Sequence, residues 1–217
     1  MKDWTLKLFS LFRNPRFTGD LLLSLGVLLW FYLYYFNVLL AGYLAQLPYN
    51  PVNDELLNAL PTVNLDFIAS NYIYLLFAVF TAWVLAREPQ RTPFYIKLFT
   101  LMYFSKFIIL PTTSLTYPAN AIHETWDPIY NDLFFSGHTA FPFLCYLVTR
   151  DKTKYLRYFF LLSTLIEASG VLLMKIHYAI DVYAAPFITY GVYKMGHHLF
   201  KKNYSAYDFL IRDLRQE

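Results

Sequence analysis

Residues 21–45, LLLSLGVLLWFYLYYFNVLLAGYLA, contain no charged side chain and decide the class of the fold. About 20 apolar residues are enough for a helix to cross the hydrocarbon core of a bilayer. The stretch is also longer than the roughly 7–15 apolar residues of a cleaved signal peptide. It therefore predicts a first membrane-spanning helix that is retained in the protein.

The rest of the chain has the same apolar character. Of its 217 residues, 57% are hydrophobic, 21% aromatic and only 15% charged, which is too apolar for a water-soluble domain of this length. Prolines and polar loops separate further apolar stretches, which predict spans at 66–86, 94–110, 135–149, 156–174 and 178–199. We therefore expect an all-α bundle of six transmembrane helices over 21–199, an amphipathic N-terminus over 1–20 and a tail over 200–217.

The distribution of basic residues predicts the orientation of this bundle. Lys and Arg occur before the first predicted span, between the second and third, between the fourth and fifth, and after the sixth, whereas the loops 47–65 and 111–134 contain none. Those two loops carry acidic residues instead. The positive-inside rule therefore predicts that both termini are cytoplasmic and that the acidic loops lie on the extracytoplasmic face.

A first motif lies at the start of the fourth predicted span, where Ser136 and Gly137 lead from a loop into a helix. Unpaired backbone N–H groups and the helix dipole attract an anion at such a position. Gly137 also allows a close approach of backbone to phosphate. His138 follows directly and would stand beside a phosphate held there, in reach of an ester oxygen as acid or base.

A second motif, His177-Tyr-Ala-Ile-Asp181, lies at the start of the sixth predicted span. The i, i+4 spacing places the imidazole and the carboxylate on one helix face. The carboxylate of Asp181 could then accept the N–H of one ring nitrogen and leave the other free to attack. This makes His177 the better nucleophile of the two histidines. By the predicted topology, both motifs lie on the extracytoplasmic face.

The two motifs, Phe135-Ser-Gly-His-Thr139 and His177-Tyr-x-Ile-Asp-Val182, resemble those of the sphingomyelin synthase family, within the type 2 phosphatidic acid phosphatase superfamily. The similarity extends to Asp132 and, less closely, to residues around the end of the third predicted span, including Lys106. It covers most of residues 90–195. As a pair the motifs are fairly specific, whereas either alone would be weak.

The resemblance implies a lipid phosphotransferase that needs no metal ion or other cofactor. A phosphorylated head group, phosphocholine or phosphoethanolamine, would pass from a phospholipid donor to a lipid alcohol such as ceramide through a phosphohistidine on His177. Asp181 would orient His177. His138 would protonate the departing diacylglycerol oxygen and then act as base on the incoming hydroxyl. Membrane lipids are the expected partners; a homo-oligomer is compatible with the sequence, and no nucleic-acid partner is expected.

The chain departs from the lipid phosphatases of the wider superfamily. Position 171, six residues before His177, is valine where those enzymes carry a phosphate-binding arginine, and no Lys-x6-Arg-Pro motif is present. The departures favour the synthase branch. Two alternatives stay open: a lipid phosphate phosphatase, in which water resolves the phosphohistidine, and a lipid-binding membrane protein without catalysis.

Other polar residues have two interpretations each. Lys106 either binds phosphate or places its ammonium at the membrane interface, and Lys175 is a weaker phosphate-binding candidate. Glu167, inside the fifth predicted span, has either a structural partner or a catalytic role, and we leave it outside the predicted catalytic set. Tyr178 is predicted to bind the head group, together with Ser136, Gly137, Lys106 and Asp132. With Tyr117, Trp126 and Tyr130 it could form a cage for a quaternary ammonium group.

Metal binding is the weakest of the possibilities. Cys145 is the only cysteine, which excludes a cysteine-based metal cluster. His123, Glu124 and Asp127 lie in the second acidic loop with spacing too loose to indicate a metal site. We therefore predict that the site holds no metal.

Overall fold

The computed structural model describes residues 2–44, 46, 52–113, 115–118, 120–122 and 133–212. Over these residues the secondary structure consists of helices and turns without a strand, which confirms the all-α prediction. The principal helices are α1 (Lys2–Arg13), α2 (Pro15–Trp30), α3 (Glu55–Ala59), α4 (Ile73–Arg87), α5 (Thr92–Ile109), α6 (Gly137–Thr149), α7 (Lys154–Leu173) and α8 (Ala179–Leu199). Short π, 3-10 and α segments extend or follow them at Phe31–Leu40, Ala41–Leu44, Phe67–Tyr72, Pro89–Arg91, Leu110–Thr112, Lys201–Tyr204 and Phe209–Arg212.

Each predicted span coincides with a helical segment, and the largest difference is at the first. That helix begins at Pro15 rather than residue 21, because Asn14 caps it. The Oδ1 of Asn14 accepts hydrogen bonds from the N–H groups of Arg16 and Phe17, at 3.0 and 3.2 Å. Proline suits the first position of a helix, where its missing N–H costs nothing. The cap also ends α1 and turns the chain from α1 into α2.

Four helical segments of the described chain are long and apolar enough to cross a membrane: Pro15–Tyr35, Phe67–Arg87, Pro89–Thr112 and Lys154–Leu173. The remaining two predicted spans correspond to α6 and α8. α6 has 13 residues, about 20 Å at 1.5 Å per residue, which is shorter than the hydrocarbon core of roughly 30 Å. α8 has 21 residues but includes Asp181 and Lys194. That both cross the bilayer stays a prediction.

α6 lies at the centre of the bundle. Nine of its 13 residues are buried. Five of these, among them Ala140, Leu144 and Cys145, pack in one cluster with apolar side chains of α4, α5, α7 and α8. By contrast α2, α4 and α7 expose large apolar side chains such as Leu22, Phe77 and Leu162. A helix bundle with an apolar exterior is the arrangement expected where lipid replaces water around the protein.

The bundle has two polar ends, which we name by their residues. The motif end carries Ser136, His138, His177 and Asp181. The basic end carries the loop after α4 and the loop between α6 and α7, with Glu88, Arg91 and Lys152. At the basic end Arg91 pairs with Glu88 at 2.8 Å and donates to the hydroxyl of Tyr204 at 2.7 Å. Glu88 also contacts Lys152 and Tyr95.

Candidate active site

The first motif forms the start of α6. Ser136 is fully buried and precedes the first helical residue, and its Oγ lies 3.4 Å from the N–H of Thr139, which it caps. The N–H groups of the first turn, which have no carbonyl partner within the helix, therefore point toward the motif end. His138 is the second residue of α6, and 20% of its side chain is exposed.

The second motif follows a tight turn after α7. The N–H groups of Lys175 and Ile176 bond back to the carbonyls of Leu172 and Val171, each at 3.1 Å, and Lys175 adopts a left-handed conformation with φ of 58°. This is a Schellman turn with lysine where glycine is usual. The turn places His177 two residues before Ala179, the first residue of α8.

The two motifs are joined by backbone and lie side by side. The N–H of Ser136 donates to the carbonyl of Asp181 at 3.1 Å, so the start of α6 is held against the start of α8. The centres of the His138 and His177 rings are 6.3 Å apart. The structure thus brings His138, His177 and Asp181 together, although 39 residues separate the histidines in sequence.

Each histidine faces a buried carboxylate. His177 Nδ1 lies 3.4 Å from Asp181 Oδ2, and His138 Nδ1 lies 3.3 Å from Glu167 Oε2. Both carboxylates have no exposed side-chain surface. The distances slightly exceed an ordinary N–H···O bond, and catalytic contacts of this kind often tighten only when substrate binds. In both pairs Nε2 is the ring nitrogen that faces away from the carboxylate contact.

Glu167 was not among the catalytic residues predicted from the sequence. It lies six residues before the end of α7, about 9 Å along the helix, which brings it level with the first turn of α6. In the sequence, a charged side chain inside an otherwise apolar helix was the one indication that Glu167 has a polar partner or a function. The identity of that partner, His138, could not be predicted, because it depends on how α7 packs against α6.

Lys106 approaches the first motif from α5. Its side chain is buried, and its Nζ lies 3.5 Å from the position that a Cβ on Gly137 would occupy. The ammonium group therefore lies beside the first residue of α6. Together with the helix N-terminus, it creates a positive region next to His138. That Lys106 binds phosphate stays a prediction, and the position of its ammonium group beside Gly137 is compatible with it.

The remaining predicted residues have different surroundings. Tyr178 is 2% exposed, and its hydroxyl donates to the carbonyl of Thr116 at 2.9 Å and accepts from the N–H of Val52 at 3.2 Å. Contact between Tyr178 and a head group stays a prediction. Other residues named from the sequence lie outside the described residues: His123, Glu124, Trp126, Asp127, Tyr130 and Asp132.

Within the described residues no group of three or more His, Cys, Asp or Glu side chains is arranged to hold a metal ion. The residues that converge at the motif end, two imidazoles, two carboxylates and an ammonium, suit proton transfer and nucleophilic attack at phosphorus.

Residues 131–199 match the family model described as PAP2 superfamily C-terminal. The matched segment contains both histidine motifs and Glu167. The match supports the type 2 phosphatidic acid phosphatase superfamily and suggests a lipid phosphatase or phosphotransferase type of function; it does not select a branch. No curated protein and no solved structure matches the chain.

Proposed function

We propose that the chain is a lipid phosphotransferase of the sphingomyelin synthase-like kind. It would move phosphocholine or phosphoethanolamine from a glycerophospholipid to a lipid alcohol such as ceramide through a phosphohistidine. One observation carries the proposal: two histidines, each with Nδ1 toward a buried carboxylate, lie 6.3 Å apart beside the start of α6. The motif resemblance and the superfamily match point to the same class of chemistry.

In the first half-reaction, Nε2 of His177 attacks phosphorus while the bond from phosphorus to the diacylglycerol oxygen breaks. The leaving oxygen takes a proton from His138, so diacylglycerol departs as a neutral alcohol. The head-group phosphate is left bound to His177. Lys106 and the N-terminus of α6 stabilise the negative charge on its oxygens.

In the second half-reaction, the hydroxyl of the acceptor lipid attacks the same phosphorus. His138, now neutral, takes the hydroxyl proton, and the bond from phosphorus to His177 breaks. This returns both histidines to their starting states. Water in place of the lipid alcohol would give hydrolysis through the same residues, which is the phosphatase alternative.

The two carboxylates act through the imidazoles. Asp181 holds Nδ1 of His177 as the N–H nitrogen, keeps Nε2 unprotonated for attack and stabilises the positive charge that develops on the ring. Glu167 lies at Nδ1 of His138 in the same way that Asp181 lies at Nδ1 of His177. Since His138 must alternate between charged and neutral forms, a fixed carboxylate at its Nδ1 keeps Nε2 as the nitrogen that exchanges the proton.

We also propose that the motif end of the bundle faces the extracytoplasmic side of the membrane. It can be tested with single added cysteines, because the native Cys145 is fully buried. Glu55→Cys lies at the motif end and Asp151→Cys at the basic end, and both positions are exposed. In intact cells a membrane-impermeant maleimide should label the first variant only. Labelling of the Asp151→Cys variant alone would reverse the orientation.

Products from labelled donors test the reaction itself. Purified protein is incubated with head-group-labelled phosphatidylcholine or phosphatidylethanolamine, with and without ceramide, and with EDTA in parallel. The proposal predicts labelled ceramide phosphocholine or ceramide phosphoethanolamine when ceramide is present, unchanged by EDTA. Release of free phosphorylated head group as the main product in all samples would favour hydrolysis. Loss of turnover in EDTA that a divalent metal restores would contradict the phosphohistidine scheme.

A further inference from the structure

Asp54 lies in the first loop of the motif end, far in sequence from both motifs, yet contacts one of them. Its Oδ2 accepts a hydrogen bond from the N–H of Ala179 at 2.7 Å. Its Oδ1 accepts from the N–H of Leu57 at 3.0 Å and so caps α3. One carboxylate therefore satisfies the starts of two helices, α3 and α8.

The contact falls at a sensitive place. Ala179 is the first residue of α8, two residues after His177 and two before Asp181. The preceding N–H, of Tyr178, donates to Asp181 Oδ2 at 2.9 Å. Two successive N–H groups at the start of α8 are thus held by two carboxylates, one from α8 itself and one from Asp54. Helix N-termini require such acceptors, and Asp is among the preferred residues.

Further contacts fix the segment that carries Asp54. The N–H of Val52 donates to the hydroxyl of Tyr178 at 3.2 Å. Leu57, 3% exposed, packs in one cluster with Tyr178 and with Leu133, which lies three residues before Ser136. The first loop is therefore attached to both motif segments. Asp54 is held in place independently of its contact with Ala179.

From these contacts we infer that Asp54 is a positioning residue for the reaction, acting on the His177–Asp181 pair through the first turn of α8. The inference rests on the proposed function. Without the Asp54 carboxylate the N–H of Ala179, at 9% exposure, loses its acceptor, and the first turn of α8 loosens. The gap from His177 Nδ1 to Asp181 Oδ2, already 3.4 Å, then widens. A misplacement of about 1 Å in a catalytic group costs on the order of 10²-fold in rate.

The charge of Asp54 has a second consequence. A carboxylate at the N-terminus of α8 occupies the position where that helix would attract an anion. The start of α6, with Lys106 beside Gly137, has a positive side chain there instead. The carboxylate of Asp54 thus fills the acceptor position at the start of α8, whereas the start of α6 has a positive side chain beside it.

Three variants test the assignment. Asp54→Ala removes the acceptor, Asp54→Asn removes the charge but keeps an amide oxygen for the N–H of Ala179, and Glu55→Gln is the matched control. Glu55 is adjacent and exposed, and the control makes the same change of charge. We expect kcat to fall about 10²-fold for Asp54→Ala with little change in KM. Asp54→Asn should recover most of that loss, and Glu55→Gln should resemble the unmodified protein.

A pH profile separates positioning from a general loss of structure. The groups around His177 are Asp181 on α8, His138 on α6, Glu167 behind His138 and Lys106 on α5. If Asp181 is less well placed, the imidazolium form of His177 is less stabilised, so the acid limb of kcat/KM should move to lower pH in Asp54→Ala. An unmoved limb, or a kcat equal to that of the unmodified protein, would overturn the inference.

One measurement independent of turnover completes the test. Amide hydrogen exchange over 178–181 should accelerate in Asp54→Ala but not in Glu55→Gln. If the unmodified protein converts no phosphorylated lipid, the proposed function fails, and this measurement still decides the positioning role. Unchanged exchange in Asp54→Ala would contradict it.

Discussion

The polar clusters at the two ends of the bundle differ in how their charges are paired. At the basic end, Arg91 bonds to Glu88 at 2.8 Å and to Tyr204 at 2.7 Å, and its guanidinium stacks 4.1 Å from the Tyr204 ring. At the motif end, each histidine stands 3.3–3.4 Å from its carboxylate and turns Nε2 away from it. The charges of the first cluster are paired with one another, and those of the second converge on the start of α6.

The two ends therefore differ in what they contribute. At the basic end the charges bond closely to one another and gain little from a ligand. They hold together the loops after α4 and α6 and the C-terminal tail. Charges arranged around a helix N-terminus retain the capacity to bind a substrate anion. Substitutions at the basic end should therefore change stability, whereas those at the motif end should change turnover.

The largest effect is expected from His177→Ala. It removes the attacking nitrogen, so head-group transfer and hydrolysis should both fall to background, while the midpoint of thermal unfolding stays close to that of the unmodified protein. Turnover and unfolding are measured on the same preparation. Residual turnover well above background would mean that another group attacks phosphorus.

The paired variants Asp181→Asn and Glu167→Gln compare the two carboxylates. Asp181→Asn should lower kcat by about 10³-fold or more. The amide no longer favours the His177 tautomer that carries its proton on Nδ1, and it no longer stabilises the positive charge that develops on the ring. Glu167→Gln should lower kcat less, roughly 10–10²-fold, since it acts on proton transfer, which itself contributes about 10²–10⁴-fold. Initial rates with natural donors measure both. Equal rates for Glu167→Gln and the unmodified protein would remove Glu167 from the mechanism.

Glu88→Gln tests the basic end. Glu88 is only 15% exposed and contacts Arg91, Lys152 and Tyr95. Its neutralisation should lower the free energy of unfolding by roughly 1–3 kcal/mol, less than for a fully buried pair, because Asp208 still faces Arg91. Turnover below the unfolding transition should not change. Asp151→Asn is the control, since that carboxylate is 78% exposed and its ion pair contributes little.

The smallest effect concerns the C-terminal tail and alkaline pH. The hydroxyl of Tyr207 donates to Asp20 Oδ2 at 3.1 Å, and burial, with the nearby carboxylate of Asp20, raises the pKa of Tyr207 to about 12. Because this pKa is above its ordinary value of about 10, the stabilising contribution is complete below pH ~10 and is lost as pH rises through about 12. The protection of the amides of 200–212 relative to their intrinsic, base-catalysed exchange rate should fall across that window, and Tyr207→Phe should abolish this fall in protection.

The histidine site could be predicted from sequence to the extent that it is local. His177 lies two residues before α8 and Asp181 in its first turn, and His138 follows directly from Ser136 and Gly137. Spacing therefore indicated which side chains lie near each other within each motif, and their catalytic roles stay predictions. Glu167 and Asp54 depend on long-range packing: one meets His138 from a neighbouring helix, and the other caps a helix that begins 125 residues later. Hydropathy likewise predicted the helical segments that correspond to the six spans, but not the short α3, and it could not show whether the short α6 crosses the bilayer.

The residue that carries a covalent phosphoryl group identifies the nucleophile. With a nitrophenyl phosphodiester donor, whose leaving group needs no proton, the first half-reaction should proceed without His138. The His138→Ala variant should then accumulate phospho-enzyme, with the label on His177 by mass spectrometry, while His177→Ala should carry none. Label on His138 in the His177→Ala variant would contradict the assignment of His177 as nucleophile and His138 as acid.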